Sequence, residues 1–169
     1  LSGLLQASRD VFLNAAAYDF SATFFRPRGF DSENGKVLIN GIEMNKMYNG
    51  RPQWSNWGGL NDAMRNQVFT MGLSANENTF GDLAGTTNVV MRASQYQKGG
   101  RVSYASSNRS YRGRVMASYN SGLTDNGWAY SFLASRRFGE EGFNDGSLYD
   151  ANSFFAAVEK KINEKHSLN

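Results

Sequence analysis

The sequence predicts an α+β domain over residues 1–94, followed by antiparallel β-strands of an incomplete transmembrane β-barrel over residues 95–169. The composition favours β-structure, with 18 Gly and with 12 Phe, 8 Tyr and 3 Trp against only 2 Pro. Aromatic side chains favour strands, and glycine permits the positive φ of tight turns. The first half mixes helix-cap signals with short strands, whereas the second half alternates between apolar and polar residues. This change of pattern sets the predicted domain boundary.

Two short helices are predicted in the first half. Ser2 can cap a helix that continues to about Ser8, because its hydroxyl can accept a hydrogen bond from a free backbone N–H of the first turn. Asn61 can cap a second helix across Asp62–Asn66 in the same way. These helices give the first half its α+β classification.

The clearest strand of the first half is Lys36–Ile42, which contains the turn signal Asn40-Gly41. Asn and Gly both tolerate the left-handed backbone of a two-residue hairpin turn. Three further segments are expected to be extended: Phe20–Phe30, Gln67–Leu73 and Asn88–Arg92. Pro27 offers no N–H, so the first of these segments is expected at a sheet edge or a strand end.

Four longer strands are predicted in the second half: Arg101–Ser107, Arg112–Asn120, Trp128–Phe138 and Ser153–Ile162. The turns and loops between and after them are Asn108–Ser110, Ser121–Gly127, Gly139–Asn152 and Asn163–Ser167. One face of the third strand carries Trp128, Tyr130, Phe132, Ala134, Arg136 and Phe138. Its other face carries Ala129, Ser131, Leu133, Ser135 and Arg137. Segments of about ten alternating residues are typical of transmembrane β-barrels.

A soluble antiparallel sheet with one face on a core alternates in the same way, so both structures stay open. Aromatic residues at the two strand ends, Trp128 and Tyr130 at one and Phe138 at the other, favour the membrane alternative. About four strands cannot close a barrel that needs about eight, so the chain is expected to be part of a larger protein. In the membrane alternative, Tyr119 and Phe132 stay outside any interior that the chain forms by itself.

Catalytic and metal-binding residues are scarce. The chain has no Cys, and its one histidine, His166, lies in a predicted turn, so no thiolate site and no Ser-His-acid set is expected. Glu140 and Glu141 lie in a glycine-bounded loop without an apolar pocket. Asp145 and Asp150 lack the spacing of a calcium loop. The sequence therefore predicts no enzyme, no metal and no cofactor.

A nucleic-acid partner is also not expected. Arg109, Arg112 and Arg114 are close together, and the formal net charge is +3. These arginines are interleaved with residues of other kinds and do not form a continuous basic stripe. They are expected on the solvated face of a strand.

Four motifs in the first half occur in the order and spacing of a known domain. They are Arg28-Gly29-Phe30, Val37–Ile42, Gln67–Gly72, and Phe80-Gly81 with Gly85–Val90. Together they resemble the plug domain of TonB-dependent outer-membrane receptors, over most of residues 1–92. The positions that carry the plug motif are Arg28, Gly29, Asn40, Gly41, Gly72, Gly81, Gly85 and Asn88.

The chain departs from the family pattern at four places. Asn40 replaces the usual Asp, Gln67 the usual Glu and Ala84 the first Gly of a pair, and no Pro follows Gly72. Asn tolerates left-handed turn geometry as Asp does, so the first change should keep the turn but lose a charge. The family's N-terminal coupling box is not recognisable and is expected outside this segment.

The resemblance implies a part of a TonB-dependent receptor in the bacterial outer membrane. Such a receptor binds a scarce nutrient and imports it when an energy-coupled partner displaces the plug from the barrel lumen. The implied partners are TonB, outer-membrane lipid and a small ligand such as a siderophore, cobalamin or a glycan. A surface lipoprotein could join the complex.

The best candidate for ligand contact is the loop Tyr48–Trp57, with Tyr48, Arg51, Trp54 and Trp57. Aromatic rings beside amide and guanidinium donors suit a sugar ring or an aromatic chelator. The alternative is that both tryptophans pack the plug against the barrel wall. Phe143 and Tyr149 are further candidates in the loop Gly139–Asn152. The competing function is a soluble β-rich domain that binds carbohydrate through Trp54 and Trp57.

Overall fold

The computed structural model describes Val11 and residues 27–107, 111–142 and 144–169. The chain forms two compact units that are interleaved in sequence. The first consists of Leu1–Gln53 with Gln67–Val90, and the second of Trp54–Asn66 with Met91–Asn169. The linear boundary at residue 94 stays a prediction, and the contacts group residues 54–66 with the later part of the chain.

The first unit contains a sheet of four short strands: β1 (Lys36–Ile39), β2 (Ile42–Glu43), β3 (Gln67–Thr70) and β4 (Thr86–Val89). Their order is β2-β1-β4-β3, and β1 pairs in parallel with β4 while the other pairs are antiparallel. Leu38 on β1 and Val89 on β4 are completely buried and form the centre of this unit's core. Two 3₁₀ turns, Pro27–Gly29 and Ser32–Asn34, precede the first strand.

The turn between β1 and β2 has the conformation that the sequence predicts. Asn40 and Gly41 have φ values of 51° and 83°, as a two-residue hairpin turn of the mirror-image type requires. The N–H of Gly41 donates to Oδ1 of Asn88 at 3.1 Å, which ties this turn to the end of β4. Strand β4, the parallel neighbour of β1, therefore stabilises the β1–β2 turn through Asn88.

The second unit contains five antiparallel strands in sequence order: β5 (Gly99–Ser106), β6 (Gly113–Asn120), β7 (Trp128–Gly139), β8 (Tyr149–Lys161) and β9 (Ser167–Leu168). The first four correspond to the four predicted strands, with ends shifted by up to four residues. The short strand β9 lies where the sequence predicts only a turn. Two 3₁₀ turns, Trp54–Trp57 and Ala93–Gln95, complete the unit.

The predicted α+β class is wrong. Residues 27–107, 111–142 and 144–169 contain no α-helix, only strands, 3₁₀ turns and loops. The helix predicted across Asp62–Asn66 is a single turn, closed by the N–H of Met64 and the carbonyl of Leu60 at 3.0 Å. So short a segment cannot offset the cost of helix nucleation by itself. The helix predicted from Ser2 to Ser8 lies outside the described residues.

The predicted barrel architecture needs the same correction, because both sheets in the described residues are open. The first ends at β2 and β3, and the second at β5 and β9. The predicted extended segment Phe20–Phe30 is also wrong over residues 27–30, the part of it that the structure describes. Residues 27–29 form a 3₁₀ turn in which Arg28 has a left-handed φ of 51°. The remainder of that segment lies outside the described residues.

Candidate functional site

The second sheet presents an apolar face that the chain does not cover. Directly paired residues lie on the same face of a sheet, and one row across four strands is Val102, Ala117, Ala134 and Phe154. The next row contains Tyr119, Phe132 and Ala156. Phe154 is 77% exposed and Phe132 50% exposed. Large apolar side chains therefore dominate the open side of this sheet.

The two ends of the apolar face are marked by aromatic and charged residues. At one end the rings of Trp128 and Tyr130 stack at 6.2 Å with an interplanar angle of 6°. Towards the other end, Arg136 forms two hydrogen bonds with the carboxylate of Asp150, at 2.6 and 3.2 Å. Phe138 lies two residues beyond Arg136 on the same face. The uncharged band thus lies between an aromatic end and an ion-paired end.

The opposite face is covered and mixes apolar with polar residues. On β7, Ala129, Ser131, Leu133 and Ser135 are all buried. The segment Trp54–Asn66 contacts this face through side-chain hydroxyls of the sheet. Ser135 Oγ donates to the carbonyl of Gly59, and Ser153 Oγ donates to the carbonyl of Gly58, both at 2.7 Å. Hydroxyls on neighbouring strands therefore hold two successive peptides of the segment.

Glycine is required where this segment meets the sheet. Gly59 has a φ of 87°, and a Cβ on it would lie 2.7 Å from the hydroxyls of both Ser135 and Ser153. A Cβ on Gly58 would lie 2.7 Å from Nη1 of Arg137. Gly59 therefore allows a close approach of backbone to sheet that a larger residue would prevent, whereas a side chain at Gly58 would only displace the flexible end of Arg137.

Charged groups fix the second part of the segment. The carboxylate of Asp62 is almost buried and lies 2.6 Å from Nη2 of Arg65. It also accepts a hydrogen bond from Ser118 Oγ at 3.3 Å and lies 3.9 Å from Nε of Arg101. The neighbouring Asn61 accepts a hydrogen bond from Arg114 at 2.7 Å. Strands β5 and β6 thus hold residues 61–65 by polar contacts.

A buried carboxylate holds the chain that leads into β5. Glu159, only 3% exposed, forms an ion pair with Arg92 and accepts the backbone N–H of Ser94 at 3.1 Å. Arg92 also contacts the hydroxyl of Ser167. Burying a carboxylate is costly unless it is paired and hydrogen-bonded, and here both conditions are met. Glu159 therefore fixes the covered face to the 3₁₀ turn at Ala93–Gln95.

Tyr96 joins the two covering segments. Its hydroxyl donates to the carbonyl of Ala63 at 2.6 Å, and its ring meets Phe155 edge-to-face at 6.3 Å. Burial raises the pKa of Tyr96 to about 12. The hydroxyl therefore keeps its proton well above the pH at which an exposed tyrosine ionises.

The predicted ligand-contact residues belong to both units. Tyr48 and Arg51 lie in the first, where Tyr48 is strongly exposed beside Lys46 (Nζ to ring centre 5.0 Å) and Arg51 is 4.0 Å from Asp31. Trp54, Trp57 and Tyr149 lie in the second unit. Phe143 lies outside the described residues.

The two tryptophans form an edge-to-face pair with ring centres 5.6 Å apart, and Trp54 is partly exposed. They occupy the 3₁₀ turn immediately before Gly58, which is anchored to the sheet. Tyr149 packs against Tyr111 at 6.2 Å and lies beneath the guanidinium of Arg137 at 5.7 Å. Each aromatic residue is thus positioned by neighbours rather than free in a loop.

Sequence reasoning missed the residues that hold segment 54–66 on the sheet. Ser118, Ser135 and Ser153 hold this segment, and Arg92 with Glu159 holds the neighbouring turn Ala93–Gln95. The available signal was the inward face of the alternating strands, where serines and charged residues are interspersed with apolar ones. An isolated serine or glutamate in such a row does not identify its partner, which lies many residues away.

The positions of the plug-like motif are concentrated at left-handed backbone. Seven of the eight have positive φ in the described residues: Arg28, Gly29, Asn40, Gly41, Gly72, Gly81 and Gly85. The eighth, Asn88, accepts the hydrogen bond from Gly41. A Cβ on Gly85 would lie 2.6 Å from the carbonyl oxygen of Thr70. These positions therefore shape turns around the first sheet.

Across residues 27–107, 111–142 and 144–169, no group of three His, Asp or Glu side chains could hold a metal ion. In the same ranges, no helix is long and apolar enough to cross a membrane. No protein-family model and no curated protein matches the chain. The function must therefore be argued from the chain's own residues and geometry.

Proposed function

We propose that this chain is part of a TonB-dependent receptor of the bacterial outer membrane, which binds a scarce nutrient and imports it. One observation carries the proposal: the second sheet leaves large apolar side chains such as Phe132 and Phe154 exposed on one face, while its covered face mixes apolar residues with buried hydroxyls and a carboxylate. A sheet in a water-soluble protein covers its large apolar side chains, because burying apolar area is what stabilises it. The open face is instead suited to hydrocarbon.

The dimensions of the open face agree with this proposal. From Trp128 to Phe138 the strand spans ten residues, or roughly 33 Å at about 3.3 Å per residue. A strand tilted by about 40° converts this length into roughly 25 Å along the membrane normal, which is the height of the apolar band in outer-membrane proteins. Trp128 and Tyr130 then lie at one interface, and Phe138 lies at the other together with the Arg136–Asp150 ion pair.

The covered face suits the inside of such a protein. It carries buried hydroxyls and a buried carboxylate beside its apolar residues: Ser135 and Ser153 bond to residues 58–59, and Glu159 accepts the N–H of Ser94. The motif resemblance supports the same function, because the turn residues of the first unit follow the family's order. In this proposal the first-half residues are the part that TonB displaces.

The experiment is uptake by the complete protein in a Gram-negative host. We expect the protein in the outer-membrane fraction and accumulation of the ligand only when TonB is present. The ligand screen should include siderophores, cobalamin and glycans. A protein that is monodisperse in buffer without detergent would contradict the proposal, and so would uptake that is unchanged without TonB.

The ligand-contact hypothesis is tested separately. Trp54→Ala with Trp57→Ala should weaken ligand binding, while Tyr111→Phe serves as a control that keeps an aromatic ring of the sheet unit. Unchanged affinity in the double variant would remove the tryptophans from the site. In that case they stabilise segment 54–66, as the packing alternative holds.

A second candidate function is carbohydrate binding by a soluble β-rich domain. The partly exposed Trp54 and its edge-to-face partner Trp57 favour it, because aromatic faces bind sugar rings. Solubility discriminates between the two candidates, since only this one allows a stable monomer in plain buffer. A glycan array with the wild-type and double-variant proteins would then identify the sugar.

A further inference from the structure

A cleft of about 450 Å³ opens at the aromatic end of the second sheet. It lies between the turn that precedes β7 and the turn that follows β8. Its polar lining comes from Asp125, Asn126, Lys160, Lys161, Asn163 and Glu164. The cleft is therefore continuous with the end of the apolar face where Trp128 and Tyr130 stack.

Lys160 is held at the border between the cleft and the apolar face. It pairs directly with Trp128 across the strands, and its Nζ lies 4.9 Å from the centre of the Trp128 ring. The same ammonium donates to the carbonyl of Asn126 at 2.6 Å. No carboxylate in the described part of the chain lies within 4 Å of Lys160 or Lys161. Both ammonium groups therefore keep capacity for an anion.

The cleft also offers acceptors for a cation. Asp125 and Glu164 line it together with the two lysines, so two carboxylates balance two ammonium groups. A purely anionic ligand would be attracted by the lysines and repelled by the carboxylates. A ligand that carries one phosphate and one ammonium satisfies both sets.

We propose that this cleft binds the headgroup of a zwitterionic phospholipid with a primary ammonium, the phosphoethanolamine class. The proposal rests on the membrane location proposed above. The phosphate accepts a hydrogen bond from Lys160, and the ammonium donates to Asp125 and Glu164. The acyl chains then lie along the apolar face beyond Trp128 and Tyr130. A stacked indole and phenol at that depth suit the boundary between headgroup and hydrocarbon.

The test measures which lipids stay with the complete protein. The protein is extracted in mild detergent, exchanged with mixed micelles of defined lipid, and weighed by native mass spectrometry. The three probes are phosphatidylethanolamine, phosphatidylcholine and phosphatidylglycerol. We expect preferential retention of phosphatidylethanolamine, because the quaternary ammonium of choline cannot donate hydrogen bonds and glycerol carries no cation.

Two variants assign the preference to the cleft. Lys160→Ala should reduce retention of phosphatidylethanolamine by about fivefold, as expected for one lysine at a membrane surface. Asp125→Asn should reduce the difference in retention between phosphatidylethanolamine and phosphatidylglycerol. Lys165→Ala, an exposed lysine of the neighbouring turn that does not line the cleft, is the matched control and should leave retention unchanged.

Equal retention of the three lipids would overturn the proposal, and so would an unchanged preference in Lys160→Ala. These results leave the membrane location intact if the protein is still recovered in the membrane fraction. A wild-type protein absent from that fraction would overturn the proposed function and this site together. The two failures are therefore distinguishable.

Discussion

In the first sheet Leu38 and Val89 are completely buried, whereas in the second sheet Phe132 and Phe154 remain half or more exposed. The second sheet buries Ser131, Ser135 and Glu159 together with Met116 and Leu133 on its other face. Both sheets have period-two side chains, so the strand pattern by itself does not decide which face is covered. The difference teaches that the covering segment decides it, because residues 54–66 lie on the face that carries Ser135 and Ser153 and leave the face of Phe132 and Phe154 open.

The largest effect should come from the core of the first sheet. Leu38→Ala removes a completely buried side chain and should lower the free energy of unfolding by about 2–5 kcal/mol. Phe132→Ala, in detergent, should change it by only about 0.5 kcal/mol, because the ring contacts few residues of the chain. Denaturant unfolding of both variants checks the contrast. Equal losses would show that Phe132 belongs to an interior.

A charge on the open face tests what that face contacts. Phe132→Arg should destabilise the complete protein in a lipid bilayer by about 2–4 kcal/mol, the cost of arginine near the membrane midplane. Phe132→Leu keeps the position apolar and serves as the control. The measurement is reversible unfolding from lipid vesicles. Equal stability of the two variants would exclude hydrocarbon contact.

The buried ion pair tests the covered face. Glu159→Gln leaves Arg92 without its carboxylate and should cost about 2–3 kcal/mol, less than for a fully buried pair because Arg92 is 37% exposed. Asp150→Asn, on the open face of the same strand, is the matched control and should have little effect. Changing Arg92 and Glu159 together to methionine should recover most of the loss. A loss as large in Asp150→Asn would remove the distinction between the faces.

The smallest effect concerns the Tyr96 hydroxyl. The pKa of Tyr96 is about 12 in the folded protein and about 10 in the unfolded chain. The stabilisation of the fold by its protonated hydroxyl is therefore complete below pH 10 and is lost as the pH rises from 10 to 12. Tyr96→Phe should cost about 1 kcal/mol at neutral pH, the value of one hydrogen bond. Ultraviolet absorbance should show that the variant lacks the latest-ionising tyrosine. An unchanged alkaline titration would place Tyr96 in solvent.

The strands of the second half could be predicted from sequence because their signal is local. Alternation over Trp128–Phe138 and glycine-rich turns fix both the strand and its two faces. The Asn40-Gly41 turn was predictable for the same reason, since its chemistry lies within two residues. No long-range information was needed for either element.

The fold class and the anchoring residues could not be predicted in this way. The helix expected after Asn61 failed because Asp62 and Asn61 bond to Ser118 and Arg114, more than 50 residues away. The parallel pairing of β1 with β4 joins segments about 50 residues apart. Gly58-Gly59 signals a turn, but nothing local indicates that two serine hydroxyls will approach it.

The position of segment 54–66 in the chain limits where the protein can be split into two pieces. If the chain is cut between residues 90 and 91, residues 54–66 stay on the first piece. Ser118, Ser135 and Ser153 on the second piece then face water, because the segment that they bond to is missing. A split-protein complementation in which residues 54–66 are also fused ahead of residue 91 should therefore assemble better than a simple two-piece cut. Because the two units are interleaved in sequence, one break in the chain cannot separate them.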